Sequence, residues 1–115
     1  DRSHFLGVAS KAMRHVVVDY ARRQKAEKRG GGDAAVTLRE TLVGTESAAE
    51  MLALDEALER FAAVNPRGAR VVECRFFGGL TLAETAEAIG VSVPTVERSW
   101  RTARAWLYRD LSQDS

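Results

Sequence analysis

The chain has a single cysteine, Cys74, so neither an intramolecular disulfide nor a cysteine metal cluster can form within it. It has two histidines, His4 and His15, and neither has the neighbours that a metal site needs. Two prolines and no sustained apolar–polar alternation argue against a β-protein. The longest apolar runs fall far short of the ~20 residues that span a bilayer, and no signal peptide is visible, so no membrane partner and a reducing, cytoplasmic setting are expected. Phosphate-cradling loops are missing too: Gly30-Gly31-Gly32 follows a helical pattern and does not open one after a strand. With no grouping of nucleophile, base and orienting acid, the expectation is a protein that is not an enzyme and needs neither metal nor cofactor. The chain starts at Asp1 without an initiator methionine, which suggests a piece of a longer protein.

What is present is helical and strongly patterned in charge. Hydrophobic residues make up 45% and charged residues 29% of 115, a globular balance with room for one compact domain plus an arm. The net charge of +1 hides segregation. Arg22, Arg23, Lys25, Lys28 and Arg29 stand against one acid, Glu27. Residues 33–60 then carry seven acids against Arg39 and Arg60. Arg98, Arg101, Arg104 and Arg109 follow with no acid between them. Two basic surfaces joined by an acidic stretch are expected.

The spacing predicts an all-α fold, with a long N-terminal helix and a C-terminal four-helix domain containing a helix-turn-helix. Phe5 to about Lys28 reads as one helix, with Ser3 as a candidate N-cap and Phe5, Ala9, Ala12, Met13, Val16, Val17 and Tyr20 as its apolar face. That face is expected to dock on the C-terminal domain or on a second copy of the chain. The three glycines end the helix, and residues 30–45 form a linker holding Val36, Leu38, Leu42 and Val43, with a short extended piece allowed. Glu46 to about Val64 carries Met51, Leu54, Leu58 and Phe61 on one stripe before Asn65-Pro66 breaks it. A helix over Pro66 to Phe77 ends at Gly78-Gly79. Thr81 caps a short helix to Ile89, with Glu84 completing a capping box. Gly90-Val91-Ser92 turns the chain into a last helix, Val93 to about Leu111, with Ser92 as N-cap and Pro94 in its first turn. The expected division is therefore 1–29, a linker 30–45, and a domain 46–115.

The segment Thr81 to Leu107 carries the functional signal. A short helix, a glycine-opened turn and a longer basic helix have the form of a helix-turn-helix. Ala86 lets the helices approach, while Leu82, Ala83, Ile89, Val91 and Val96 set their crossing. Val96, Trp100, Ala103 and Leu107 repeat at helical spacing and must face the core. The other side holds Thr95, Arg98, Ser99 and Thr102, flanked by Arg101 and Arg104. Arginine grips a guanine edge or a phosphate, and hydroxyls bond either. Base reading is assigned to Thr95, Glu97 and Arg98, near the helix start. Phosphate contact is assigned mainly to Arg101 and Arg104, with a further phosphate site at the free amides above Thr81. Ser92, Ser99 and Thr102 complete the candidate DNA-binding set, and Arg22, Arg23 and Lys25 form a second candidate surface.

The stretch RVVECRFFGGLTLAETAEAIGVSVPTVERSWRTARAWL resembles the fourth conserved region of bacterial RNA polymerase sigma factors of the extracytoplasmic-function type. Upstream, HFLGVASKAMRHVVVDYARRQKAEKRGGG is similar to the end of their second region and the linker after it. The resemblance implies that Thr81 to Leu107 contacts the minus-thirty-five promoter element, and that this domain docks on the flap of the polymerase beta subunit. It also implies that the chain begins too late to hold the beta-prime clamp contact and the minus-ten melting elements of the second region. An anti-sigma factor is a further partner implied for the family. Glu97 stands where several relatives carry a basic residue; beside Arg98 it can fix that side chain's fork or accept from a cytosine amino group, but it repels phosphates. Two other readings compete from the residues alone: a response-regulator-type output domain, which normally dimerises on repeated half-sites, and a protein-interaction module whose basic face meets an acidic partner. Trp106 and Tyr108 lie beside the core stripe as packing residues or as a partner surface, Cys74 reads as a small core residue, and His15 as a helix-surface residue.

Overall fold

The computed structural model describes residues 1–30 and 45–113, with backbone alone for 27–30 and 45–47. The linker residues Val36, Leu38, Leu42 and Val43, and any extended piece there, lie outside the described residues. Every regular element among the described residues is helical: α1 (Arg2–Gly30), α2 (Thr45–Val64), α3 (Pro66–Val72) running on into a π-turn (Glu73–Phe77), α4 (Leu82–Ile89) and α5 (Val93–Gln113). The all-α expectation holds, with a long first helix and four shorter helical segments after it.

Local chemistry explains most boundaries. Asp1, not Ser3, caps α1: its carboxylate accepts the His4 N–H at 2.8 Å, satisfying a donor in the first turn. Asn65 ends α2 and caps α3, its side-chain oxygen accepting the Gly68 N–H at 2.8 Å, with Pro66 in the first turn. The expected single helix over 66–77 is interrupted. From Glu73 its hydrogen bonds widen to five residues, as in Gly78 N–H to the Glu73 carbonyl at 2.9 Å. Gly79 then leaves the helix with φ at 65°, a conformation open to glycine and costly for other residues.

The core has two parts. Ala57, Leu58 and Phe61 of α2 meet Ala69 and Val72 of α3, Phe77 of the π-turn, and Ala103 and Leu107 of α5; Val18 of α1 joins them. Each such large side chain contributes about 1.5–3 kcal/mol on burial. Trp106 packs its ring on Phe61 at 4.9 Å between centroids, which makes it a packing residue, whereas Tyr108 is 78% exposed. Cys74 is buried and His15 is on the surface. The second cluster is Val71, Ala86 and Val96, with Leu82, Ile89, Val91, Val93 and Trp100 around it. It joins α3, α4 and α5. Ala83, expected to help set the crossing, is exposed instead, and its place is taken by Thr85, fully buried with its hydroxyl donating to the Thr81 carbonyl at 2.8 Å.

α1 docks on α2, the π-turn and α4. It does so with a face turned about the helix axis from the one expected, the two overlapping at Val17, which packs against the core. Leu6, Ser10, Val18 and Ala21 are buried and Arg14 is half-buried among them. Phe5, Met13 and Val16 point to water, Phe5 at 67% and Val16 at 60% exposed, and Tyr20 is half-buried. The surface that receives α1 offers acids and a close backbone. Arg14 donates to Asp55 (2.7 Å), Glu59 (2.8 Å) and Glu73 (3.2 Å). Ser10 sits against Gly78, where a Cβ would lie 2.8 Å from Ser10 Cβ. A small, polar stripe fits this surface and a large apolar one does not. Burial alone would lower the Arg14 pKa; the hydrogen bonds to Asp55 and Glu73 and the charges of Asp55 and Glu59 outweigh it and hold it above the ordinary value.

Candidate nucleic-acid interface

α4, a short turn and α5 form the unit to which the sequence points. Thr81 stands extended at φ −71° and ψ 169°, and its hydroxyl accepts the Glu84 N–H at 3.0 Å. The Glu84 carboxylate accepts the Thr81 N–H at 2.9 Å, which completes the capping box. Gly90 ends α4 in the left-handed region at φ 80°, and the Gly90 and Val91 amides both return to the Ala86 carbonyl. Ser92 then caps α5, its hydroxyl accepting from the Thr95 N–H at 3.3 Å.

The capping box sets the charge of Glu84. Its bond from the Thr81 N–H, with the Thr81 hydroxyl and the positive charge of Arg2 behind it, holds its pKa below the ordinary 4.5. The folded pKa is depressed, so the contribution to stability is complete above about pH 4.5 and is lost as pH falls through the folded value. In a carboxyl NMR titration Glu84 is expected to protonate at lower pH than an ordinary glutamate. Thr81→Ala removes the hydroxyl but keeps the backbone N–H that is the larger cause, so the midpoint should rise only part of the way, with about 0.5–2 kcal/mol of helix-cap stability lost. An unshifted midpoint in the variant would mean that the backbone N–H, and not the hydroxyl, sets it.

On α5, Val96, Ala103 and Leu107 are buried and Trp100 is half-buried, as the spacing requires. Arg98, Arg101 and Thr102 are exposed on the opposite side, and Thr95 and Ser99 are half-exposed. A chain of bonds orders the first turns: Ser92 and Thr95 hydroxyls lie 2.9 Å apart, and Arg98 Nη2 donates to Thr95 Oγ1 at 3.2 Å. Thr95, and not Glu97, therefore holds the Arg98 side chain; Glu97 is exposed beside it. Arg104 lies away from the centre of this face, its guanidinium stacked over Trp100 at 5.6 Å. Arg22, Arg23 and Lys25 are exposed on α1, where Arg22 meets Asp19 at 3.3 Å and Asp55 at 3.7 Å.

Two arginines escaped the sequence reading. Arg75 covers the other face of Trp100 at 5.4 Å, and its Nη1 donates to the Leu80 carbonyl at 2.8 Å. It thus braces the segment before α4 against α5, a role for which no spacing in the chain gives a signal. Arg14 had a weak signal in Leu6, Ser10, Arg14 and Val18, which recur every fourth residue.

The family model described as ECF sigma factor matches residues 1–113. The chain belongs to the ECF sigma factor family. Its role is that of a sigma factor in transcription initiation, with core RNA polymerase and promoter DNA as partners. Curated proteins and solved structures gave no match. The family assignment leaves no place for the response-regulator reading. No helix among the described residues is long and apolar enough to cross a membrane.

Proposed function

We propose that α4, its turn and α5 are a helix-turn-helix that reads the minus-thirty-five promoter element, with α5 in the major groove. The observation that carries this is the ordered start of α5. Ser92 caps the helix, Thr95 bonds Arg98, and Arg98 is presented on the side away from Val96 and Trp100. A recognition helix reads base edges with its N-terminal turns, and a pre-ordered arginine loses less freedom on binding. Thr95, Glu97 and Arg98 are then the base-reading residues. Ser92, Ser99, Thr102 and Arg101 bond the backbone, and the amides at Thr81 hold a phosphate. Arg104 reaches a phosphate only by leaving Trp100, which makes it secondary to Arg101.

Arg22, Arg23 and Lys25 form the second DNA-facing surface. The polymerase beta flap docks on the apolar groove of Leu54, Val72, Trp100 and Leu107, rimmed by exposed Phe76 and Tyr108. An anti-sigma factor competes for such surfaces. The protein acts in the cytoplasm, without catalysis or a cofactor of its own.

The test is binding to promoter duplex, alone and with core polymerase, over a range of salt. The logarithm of affinity should fall with the logarithm of salt by about 0.9 per phosphate contacted. Arg101→Ala is expected to weaken all sequences alike and to lower that slope by about 0.9. An unchanged slope would remove Arg101 from the phosphate face. Absence of promoter-dependent binding with core polymerase would overturn the reading.

A further inference from the structure

α1 holds to the rest of the chain through ion pairs of one polarity. Among the described residues, every cation is on α1 and every partner acid across the interface is on α2, the π-turn or α4. Arg14 sits among Asp55, Glu59 and Glu73; Arg2 meets Glu87 at 2.9 Å and Glu84 at 3.7 Å; Arg22 meets Asp55 at 3.7 Å. The centre is dry: the side chains of Arg14, Asp55 and Glu73 are 13%, 14% and 10% exposed. The ends are wet, with Arg2 and Arg22 largely exposed. Apolar support comes from Leu6, Val18 and Ala21, with Val17 partly buried beside them, while the larger Phe5, Met13 and Val16 gain nothing from docking. An interface of this kind has a deep central attraction and weak, screened ends. The cations it holds are also those that a polyphosphate backbone would attract.

We infer that docked α1 is a closed state latched by Arg14 in the Asp55, Glu59 and Glu73 cluster, and that a nucleic-acid backbone opens it by competing for the cations of α1. The acids mimic, within the chain, the phosphates that Arg22 and its neighbours would otherwise meet. Closed, the protein has Arg22 engaged with Asp55. Open, it releases Arg22 to join the already exposed Arg23 and Lys25, frees Arg2 and Arg14, and uncovers the acids. The latch rests on the interface alone. Only its opening by DNA rests on the reading above that basic residues of α1 face nucleic acid.

The chain carries its own reporter. Cys74, its single cysteine, is buried in contact with Ser10 of α1, and burial pushes its thiol pKa up, so it reacts slowly while the helix is docked. Alkylation of the full chain by neutral iodoacetamide should quicken several-fold between about 0.05 M and about 0.5 M KCl as the ion pairs are screened. Arg14→Gln should raise the low-salt rate by at least about tenfold and flatten its salt dependence. Glu59→Gln, at the exposed rim, should act in the same direction but less, and cannot unfold the core. Circular dichroism separates opening from unfolding. Spin labels at exposed Ala12 and Ala105, in a Cys74→Ala background, should give one narrow distance in the closed state and a broad, longer distribution in Arg14→Gln. If labelling and distance are the same in Arg14→Gln as in the parent, the latch is overturned. Mixed-sequence duplex DNA at low salt should broaden the parent's distance in the same way. DNA that binds without this change overturns the polyanion step. DNA that does not bind overturns that step together with the DNA-facing reading, while the salt and Arg14 comparisons still decide the latch.

Discussion

Arg98→Ala is expected to lower affinity for the best promoter site by about 1–3 kcal/mol and to relax preference at one or two base pairs. The size follows from what the side chain can do. A guanidinium presents a fork of donors that matches the two acceptors of a guanine edge, and no other base offers that pair. The Thr95 hydroxyl already holds one Arg98 nitrogen at 3.2 Å, so the side chain is partly ordered before it meets DNA. Thr95→Val, which keeps the shape and removes the hydroxyl, should reproduce part of the loss. Glu97→Lys should act differently, raising affinity for all sequences by removing a charge that repels phosphates. The measurement is selection from a randomised duplex pool with core polymerase present. Unchanged preferred sequences in Arg98→Ala would show that this face does not read bases.

A second large effect is expected far from the DNA. In Gly78→Ala the new methyl would overlap Ser10 Oγ and lie 2.8 Å from both Ser10 Cβ and the Cys74 carbonyl oxygen. Ser10 belongs to α1 and can move away with it. The Cys74 carbonyl accepts the Leu80 N–H at 3.0 Å within the segment leading to α4 and cannot. Overpacking of this kind costs about 1–3 kcal/mol. The two causes can be separated by a double-mutant cycle. Ser10→Gly removes the side chain that meets the methyl, at its own cost of about 1 kcal/mol for glycine in a helix. Combined with Gly78→Ala it should recover the part of the loss owed to α1, and the non-additivity in urea unfolding measures that part. Strict additivity would place the whole strain in the turn and deny the close approach of α1.

What could be read in the sequence depended on how far apart the deciding residues are. The Thr81–Glu84 box, Gly90 and the Ser92 cap decide their geometry within a few residues, and the structure reproduces all three. Val96, Ala103 and Leu107 bury as their spacing requires. α1 was legible as a helix but not in its orientation. Hydrophobicity ranks its faces correctly for an apolar receptor, whereas the receptor here is made of Asp55, Glu59 and Glu73, more than forty residues along the chain from Arg14. Arg75 was silent for a similar reason: its role depends on Trp100 and Leu80 arriving beside it. In the candidate site, the residue types on α5 were readable and the partner of Arg98 was not. Thr95 and Glu97 were both within reach along the helix, and the choice depends on side-chain rotamers that spacing does not fix; the structure pairs Arg98 with Thr95, whose hydroxyl also lies 2.9 Å from that of Ser92.

The π-turn can be regarded as a change of phase. A residue advances an α-helix by about 100°, so one residue added to a single turn shifts everything after it by about that angle relative to an unbroken helix. Val71, Val72 and Cys74 keep the phase of α3, and Phe77 returns to the core with its ring under Arg14 at 5.9 Å. Its neighbour Phe76 then faces outward beside Tyr108, the two phenylalanine rings meeting edge to face at 5.0 Å. Insertion and rotation are interchangeable here. A chain one residue shorter between Glu73 and Phe77 could close an ordinary helix, but it would deliver Leu80 and Thr81 to a different bearing about the axis. The direction in which α4 and α5 face is therefore encoded upstream of both, in the count of residues in one wide turn.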